Sequence, residues 1–268
     1  MTDCSTQSRA RLLQQKVLQA PPLTGLKENQ TKGKTSVEFT GADWLQDKTR
    51  RRRTSSPAMF AEKLGKQLGH PTRSVAGWLV SKLLTVRNRA LEESVVQISG
   101  IQPEDTVLEL GHGPGLGLQS AAKLLTAPTG HLIGLDYSAY MHQMASELMK
   151  ELVTSGKVTL HHCDVAAMPL VDSTVDRVFH CNCYYFWPDL KKGATEIHRV
   201  MKPGGLMVTG MKLSSVAAFA AKRVMPGENW RPDAYMTALS DSGFTDVRME
   251  DKQHTHITFQ AIYATASK

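Results

Sequence analysis

The chain has 268 residues, 41% hydrophobic and 21% charged, the composition of a globular protein long enough for one sizeable domain with extensions. No apolar run reaches the roughly 18–20 residues of a membrane span, because Lys82 interrupts VAGWLVSKLLTV and Lys212 interrupts GLMVTGMKLSSVAAFAA. The net charge of +7 is uneven: residues 1–60 hold eleven Lys/Arg and five Asp/Glu, so the basic character belongs to the tail and says little about the main domain's substrate.

Residues 1–55 are polar without a sustained apolar period and are expected to be a disordered basic tail. Within them SRARLLQQKVLQA has the makings of a short basic helix, which leaves a mitochondrial transit peptide open. Arg50 to Arg53 could be a nuclear address, a phosphate-binding patch, a kinase-recognition run before Ser55, or a solvated linker. No secretory signal peptide is read. Cys4, Cys163, Cys181 and Cys183 are too few and too unevenly spaced for a disulfide framework, so an intracellular, reducing compartment is expected, cytoplasmic in the first instance. Cys181-x-Cys183 lacks a second ligand pair, and His161-His162 and His254-x-His256 have no accompanying ligands, so no metal site is expected.

Residues 56–100 turn helical. Leu79, Leu83, Val86 and Ala90 recur at three- and four-residue spacing, and Trp78 and Leu84 widen the stripe. Such a stripe suits plain packing, and N-terminal helices placed just before a glycine-rich loop could form a lid over a ligand cleft.

From residue 105 strands and helices alternate. TVLEL is a strand, and the helix after the glycines carries Leu118, Ala121, Ala122 and Leu125. HLIGLD is the second strand, followed by Ser138 as N-cap of a helix with Met141, Ala145, Leu148 and Leu152 on one face. KVTLHHCD and TVDRVFHCNCYYF are the third and fourth strands, and Asp189 caps a helix with Leu190, Ala194, Ile197 and Val200. KPGG is a turn into LMVTGM, the fifth strand, and a helix near 231–242 precedes TDVRMED and HITFQAIYATA. This order predicts an α/β fold: a Rossmann-like, doubly wound, mainly parallel seven-stranded sheet over 101–268. The short link between the last two strands makes the C-terminal strand antiparallel, since a parallel crossover needs a dozen or more residues.

VLELGHGPGLG places glycines at 111, 113, 115 and 117, directly after a buried-strand pattern. Each glycine costs roughly 0.5–1 kcal/mol against alanine in regular structure, so either a tight turn or close approach of backbone to a ligand is required. The dinucleotide spacing G-x-G-x-x-G fails, because its sixth position is Leu116 counting from Gly111 and Leu118 counting from Gly113. Glu109 before the loop is awkward for a diphosphate and suited to a cationic ligand. Asp136 ends the second strand, where an acid can accept ribose hydroxyls, and Asp164 follows the third at the same sheet edge.

Together VLELGHGPG, GLDYS, HHCDVAAMPL, VDRVFHCNCYYFWPD and RVMKPGGLMV resemble the class I S-adenosylmethionine-dependent methyltransferases of the type 11, UbiE-like group, over residues 100–210. The resemblance implies S-adenosyl-L-methionine as methyl donor. It implies that Gly111, Gly113 and Gly115 approach the methionine part, with Glu109 near its ammonium. Asp136 would hold the ribose, and Tyr137 and Met141 would flank the adenine. Asp164 and Val165 would meet the adenine edge, and Asn182 would lie near the methionine and the opening to substrate. His112 is expected to point outward.

Methyl transfer from a sulfonium is an in-line displacement for which alignment matters more than a dedicated catalytic group. Candidates for any such group are His180, Tyr184 and Tyr185, with Trp187 nearby; the aromatics could equally pack under the helix that starts at Asp189. A small-molecule acceptor, apolar in character, is the first expectation. NCYYFWPD departs from the Asn-Pro-Pro-Tyr pattern of enzymes that methylate amino groups of adenine or glutamine, and the basic tail has no interleaved aromatics, so nucleic acid is disfavoured. A protein or RNA acceptor, or an interaction protein that retains the fold without catalysis, stays open.

Overall fold

A computed structural model describes residues 57–254 and 257–268. Chain contacts divide the molecule into Met1–Arg53 and Thr54–Lys268. The basic tail, its Arg50–Arg53 run and Cys4 lie outside the described residues, as does His256.

Two helices come first, α1 (Pro57–Gly69) and α2 (Val75–Ile98). Ser74 caps α2, its Oγ accepting from the Gly77 amide at 3.0 Å. Then follow β1 (Thr106–Leu110), α3 (Leu116–Ala122), β2 (His131–Asp136), α4 (Ala139–Leu148), α5 (Lys150–Thr154), β3 (Val158–His162) and β4 (Val175–Cys181). After a 3₁₀ turn at Tyr184–Phe186 come α6 (Leu190–Val200), β5 (Met201–Met211), α7 (Leu213–Ala221), α8 (Pro232–Ser240), β6 (Phe244–His254) and β7 (Ile257–Ala266). No helix among the described residues is long and apolar enough to cross a membrane.

The seven strands lie in the order β3-β2-β1-β4-β5-β7-β6. β1 pairs in parallel with both β2 and β4, so the chain reverses direction across the sheet between β1 and β4. That is the switch point where a ligand cleft forms at the carboxyl ends of the strands. The C-terminal strand β7 is antiparallel to both neighbours, but it is inserted between β5 and β6, and β6 forms the edge. Burial explains the placement. β7 is buried along most of its length, whereas β6 is largely exposed and carries Arg248, Glu250, Asp251 and Lys252, charges that discourage edge pairing.

Period-2 alternation divides the core between the two faces of the sheet. Leu108, Leu110 and Val178 pack with Leu190, Ala194 and Ile197 of α6 and Tyr235 and Leu239 of α8. Val107, Phe179 and Cys181 pack on the other face with Leu91 and Val95 of α2 and Leu118 and Ala121 of α3. Glu109, between Leu108 and Leu110, therefore points into the α2 and α3 side.

Several boundaries differ from the sequence expectation for local reasons. The fourth strand stops at Cys181, because Asn182 takes a left-handed φ of 52°, which turns Tyr184–Phe186 into a 3₁₀ turn. The KPGG segment lies inside β5 as an irregularity: Met201 pairs with Val175, yet Leu206 already pairs with Arg177. Helix α7 falls in a segment that the alternation of strands and helices did not mark.

The largest departure concerns α2. Its buried face is Gly77, Val80, Ser81, Leu91, Glu92, Ser94, Val95 and Val96. The expected packing stripe instead faces outward, with Trp78, Leu79 and Val86 at 50%, 56% and 81% exposure and Leu83 also exposed.

Gly117 shows why the fourth glycine is there. A Cβ at this position would collide with the Glu109 carboxylate and would meet Phe179 at 2.9 Å. Replacing Gly117 with Ala should cost about 1–3 kcal/mol in chemical denaturation, as overpacking does. In the Glu109→Ala background the cost of the same replacement should shrink; an undiminished cost would show that the carboxylate is not what the glycine accommodates.

Candidate functional site

Three of the loop glycines adopt left-handed backbone, with φ of 63° at Gly111, 53° at Gly113 and 94° at Gly115, the residue that precedes α3. Asp136 fixes this loop: its Oδ2 accepts from the Gly113 amide at 2.8 Å and its Oδ1 from the Ser138 amide at 2.7 Å. Each carboxylate oxygen has a second lone pair, so the group still has capacity for a ligand diol. Ser138 in turn caps α4 through Met141 and donates its hydroxyl to the Pro71 carbonyl, at the root of α2.

A cavity of about 920 Å³ opens above the switch point. Gly111, Gly113, Asp136, Tyr137, Met141, Asp164, Val165 and Asn182 line it, and so does Tyr185. Tyr137 is largely exposed, with its ring centroid 5.2 Å from that of His70, whereas Met141 is buried. Asp164 accepts from the Ala166 amide at 2.9 Å. Asn182 Nδ2 reaches Asn88 Oδ1 of α2 at 3.4 Å, a contact between the end of β4 and the covering helix.

The remaining expected residues lie off the cavity wall. Gly115 packs against Ala145 of α4. Glu109 is fully buried, bonds the Leu118 amide in the first turn of α3, and keeps an Oε2 with no partner. Burial, and then the charges of Glu92 and Asp136, push its carboxyl well above the usual carboxylate range. His180 is fully buried; its Nε2 lies 2.9 Å from Tyr235 Oη and 2.8 Å from Thr209 Oγ1. Burial pushes it down to about 3, so it stays neutral and holds the core together. Tyr184 stacks on Tyr235 with centroids 4.2 Å apart and donates to the Trp230 carbonyl at 2.9 Å. Among the candidate aromatics, Tyr185 and Trp187 reach the cavity and Tyr184 serves packing.

His112 does not point outward. It is buried over Gly134 of β2, bonds the Gly113 carbonyl through Nδ1 at 2.8 Å, and has burial as the main cause of its lowered pKa. Cys163, Cys181 and Cys183 are free thiols, and the described residues contain no cluster of His, Cys, Asp or Glu suited to a metal.

Helix α2 adds Leu83 and Leu84, which the sequence marked as part of the helical stripe, and Arg87, Asn88 and Glu92, which it did not mark. The signal was present, since Leu84, Asn88 and Glu92 recur every four residues and share one face, but the exposed apolar stripe has the stronger periodicity. Glu92 is buried beside the Cys181 thiol, and its Oε2 has no partner. Burial raises its carboxyl to about 7. Two buried carboxyls with unpartnered oxygens, one of them on the cavity wall, suit a ligand carrying positive charge; a sulfonium with an amino-acid ammonium fits that requirement.

An open sheet with this strand order and a glycine loop under an acid-ended second strand defines the Rossmann-like nucleoside-ligand proteins. The comparisons narrow the class. Residues 107–205 match the methyltransferase domain family. The uncharacterized methyltransferase YdaC of Bacillus subtilis is 29% identical over 178 residues, covering 66% of this chain and 90% of that protein. A demethylmenaquinone methyltransferase of Lactiplantibacillus plantarum is 36% identical over 102 residues, 38% of this chain and 43% of that protein. A crystal structure of a SAM-dependent methyltransferase from Aquifex aeolicus superposes with a TM-score of 0.54 at 21% identity, covering 69% of this chain and 96% of that one. Residues 107–205 are thus a methyltransferase domain, and the chain around them is similar to S-adenosylmethionine-dependent methyltransferases.

Two measurements bear on the site. Asp136→Ala should weaken S-adenosylhomocysteine binding at least tenfold in calorimetric titration, about 1.4 kcal/mol, while the far-ultraviolet spectrum is unchanged; equal affinity in a folded variant would remove Asp136 from the site. Glu92 gives a pH signature. Its folded pKa lies above its unfolded one, so its burial carries no pH-dependent cost below about pH 4.5 and destabilises increasingly as pH rises towards 7, by about 3 kcal/mol. Glu92→Gln should therefore gain stability relative to the parent between pH 4.5 and 7. A constant difference across that window would show that Glu92 does not hold its proton.

Proposed function

We propose that this methyltransferase acts on a small acceptor with an apolar body and an anionic end, bound between the glycine loop and the helices above it. The observation that carries this reading is the continuity of the cavity. Gly111, Gly113 and Asp136 form one part, and Leu83, Leu84, Phe186, Trp187, Val216, Phe219 and Met225 form another. Arg87, Lys212 and Arg223 also line it, cations that suit carboxylate or phosphate oxygens.

S-adenosylmethionine supplies an already activated methyl carbon. The chain's task is to hold the acceptor in line with it and keep water out, and orientation of that kind contributes about 7–11 kcal/mol. Asp136 and the loop amides would fix the donor, and the apolar wall would position the acceptor. No residue on the wall has to act as a strong base if the acceptor atom is already nucleophilic. Similarity to a demethylmenaquinone methyltransferase supports a small, apolar acceptor.

Transfer of label from methyl-labelled S-adenosylmethionine to pooled acceptors tests the proposal. Incorporation is expected into amphipathic acids, phenols or isoprenoid phosphates, and Phe219→Asp should reduce it at least tenfold with S-adenosylhomocysteine affinity retained. Label appearing only in RNA or peptide pools would overturn the small-molecule reading. S-adenosylhomocysteine binding without transfer to any pool would favour an interaction protein.

A further inference from the structure

The outward face of α2 is apolar where a solvated helix face is normally polar. Val75, Trp78, Leu79, Leu83 and Val86 all point away from the core and are exposed. At 1.5 Å per residue this stripe is about 16 Å long. Exposed apolar patches of this continuity mark interaction surfaces more often than scattered single residues do.

Along the helix itself the charges are of one sign, and a single acid, Glu147 of α4, shares a groove with Arg73, Trp78 and Lys82. From Arg73 to Leu91 the sequence carries Arg73, Lys82, Arg87 and Arg89 and no acid. All four cations are exposed. Arg89 makes a loose 3.9 Å pair with Glu93, outside that stretch. At 100° per residue Lys82 and Arg89 lie on the apolar face itself, among Trp78, Leu79 and Val86. Their stems can lie along that face while their charged ends reach phosphate oxygens. Tryptophan in such a position has an apolar ring and a polar N–H, the combination that favours a bilayer interface.

We infer that the N-terminal half of α2 is a docking surface for an anionic phospholipid bilayer, with the helix lying in the interfacial plane. An apolar face with cationic residues beside it fits this occupant better than a second copy of the chain, whose identical face would bring like charges together. Leu83 and Arg87 also line the cavity, so the docked face adjoins it. Resting on the function proposed above, an apolar acceptor would then enter from the lipid side.

Vesicle co-sedimentation of the full chain tests this. Binding is expected to phosphatidylcholine vesicles containing phosphatidylserine, to be much weaker with phosphatidylcholine alone, and to fall with salt. Lys82→Gln should weaken it about fivefold, the equivalent of about 1 kcal/mol per cation at an anionic surface. Trp78→Ser with Val86→Ser should weaken it at least tenfold while S-adenosylhomocysteine affinity, measured in parallel, is unchanged. Wild-type-like sedimentation of that double variant would assign vesicle binding to the basic tail and overturn the inference. So would a wild-type chain that ignores anionic vesicles, including one that is dimeric and becomes monomeric on the double substitution. Loss of S-adenosylhomocysteine binding in the wild type would instead count against the methyltransferase site and leave the vesicle result standing.

Discussion

One carboxylate ties together the parts of the site. Asp136 ends β2 and spends one oxygen on the amide of Gly113 and the other on the amide of Ser138. The first bond holds a loop whose backbone is left-handed at three positions; the second sets the start of α4. Through the Ser138 hydroxyl the same turn reaches Pro71 at the root of the covering helix. Loop, helix start and cover are thus referenced to one side chain at the end of one strand. Charge-assisted bonds to backbone amides are among the stronger interactions available, which makes an acid more effective in that position than an amide would be.

The electrostatics beneath the cavity run against ordinary burial. Glu92 and Glu109 are buried, the charges of Glu92 and Asp136 raise the Glu109 carboxyl further, and the two glutamates retain unpartnered oxygens. Buried acids without counter-ions keep their protons, and they do so here at the cost of some stability. A positively charged ligand reverses that balance, because it gives the ionised form a partner. An inert pocket of the same shape would be built from leucine.

Much of this was legible in the sequence. Alternating strands and helices, with a short link at the end, dictate a mainly parallel sheet with an antiparallel C-terminal strand. The glycine spacing and Asp136 locate the loop and its anchor. What escaped was any arrangement set by tertiary packing. Nothing local shows that β7 is the inner strand and β6 the edge, since both runs contain apolar residues and only burial separates them. The periodicity of Leu79, Leu83 and Val86 names a face but cannot say whether the sheet covers it. His180 was a catalytic candidate, yet it stays in the core with Tyr235 and Thr209, while the left-handed turn at Asn182 redirects the backbone after it. Glu92 was hidden because an acid in an Arg-rich helix reads as a surface residue.

The insertion of β7 between β5 and β6 has a kinetic consequence. Strands β6 and β7 pair with each other over residues adjacent in the chain, so they can form a hairpin at little loop-closure cost. One further strand pairing, Leu206–Met211 against Gln260–Thr265, joins that hairpin to the rest of the sheet. The five parallel strands, by contrast, require a crossover for every pairing and set the slower step. The sheet therefore divides at Met211 into a part whose pairings are all long-range, on the side that carries the glycine loop, and a two-stranded unit whose own pairing is local.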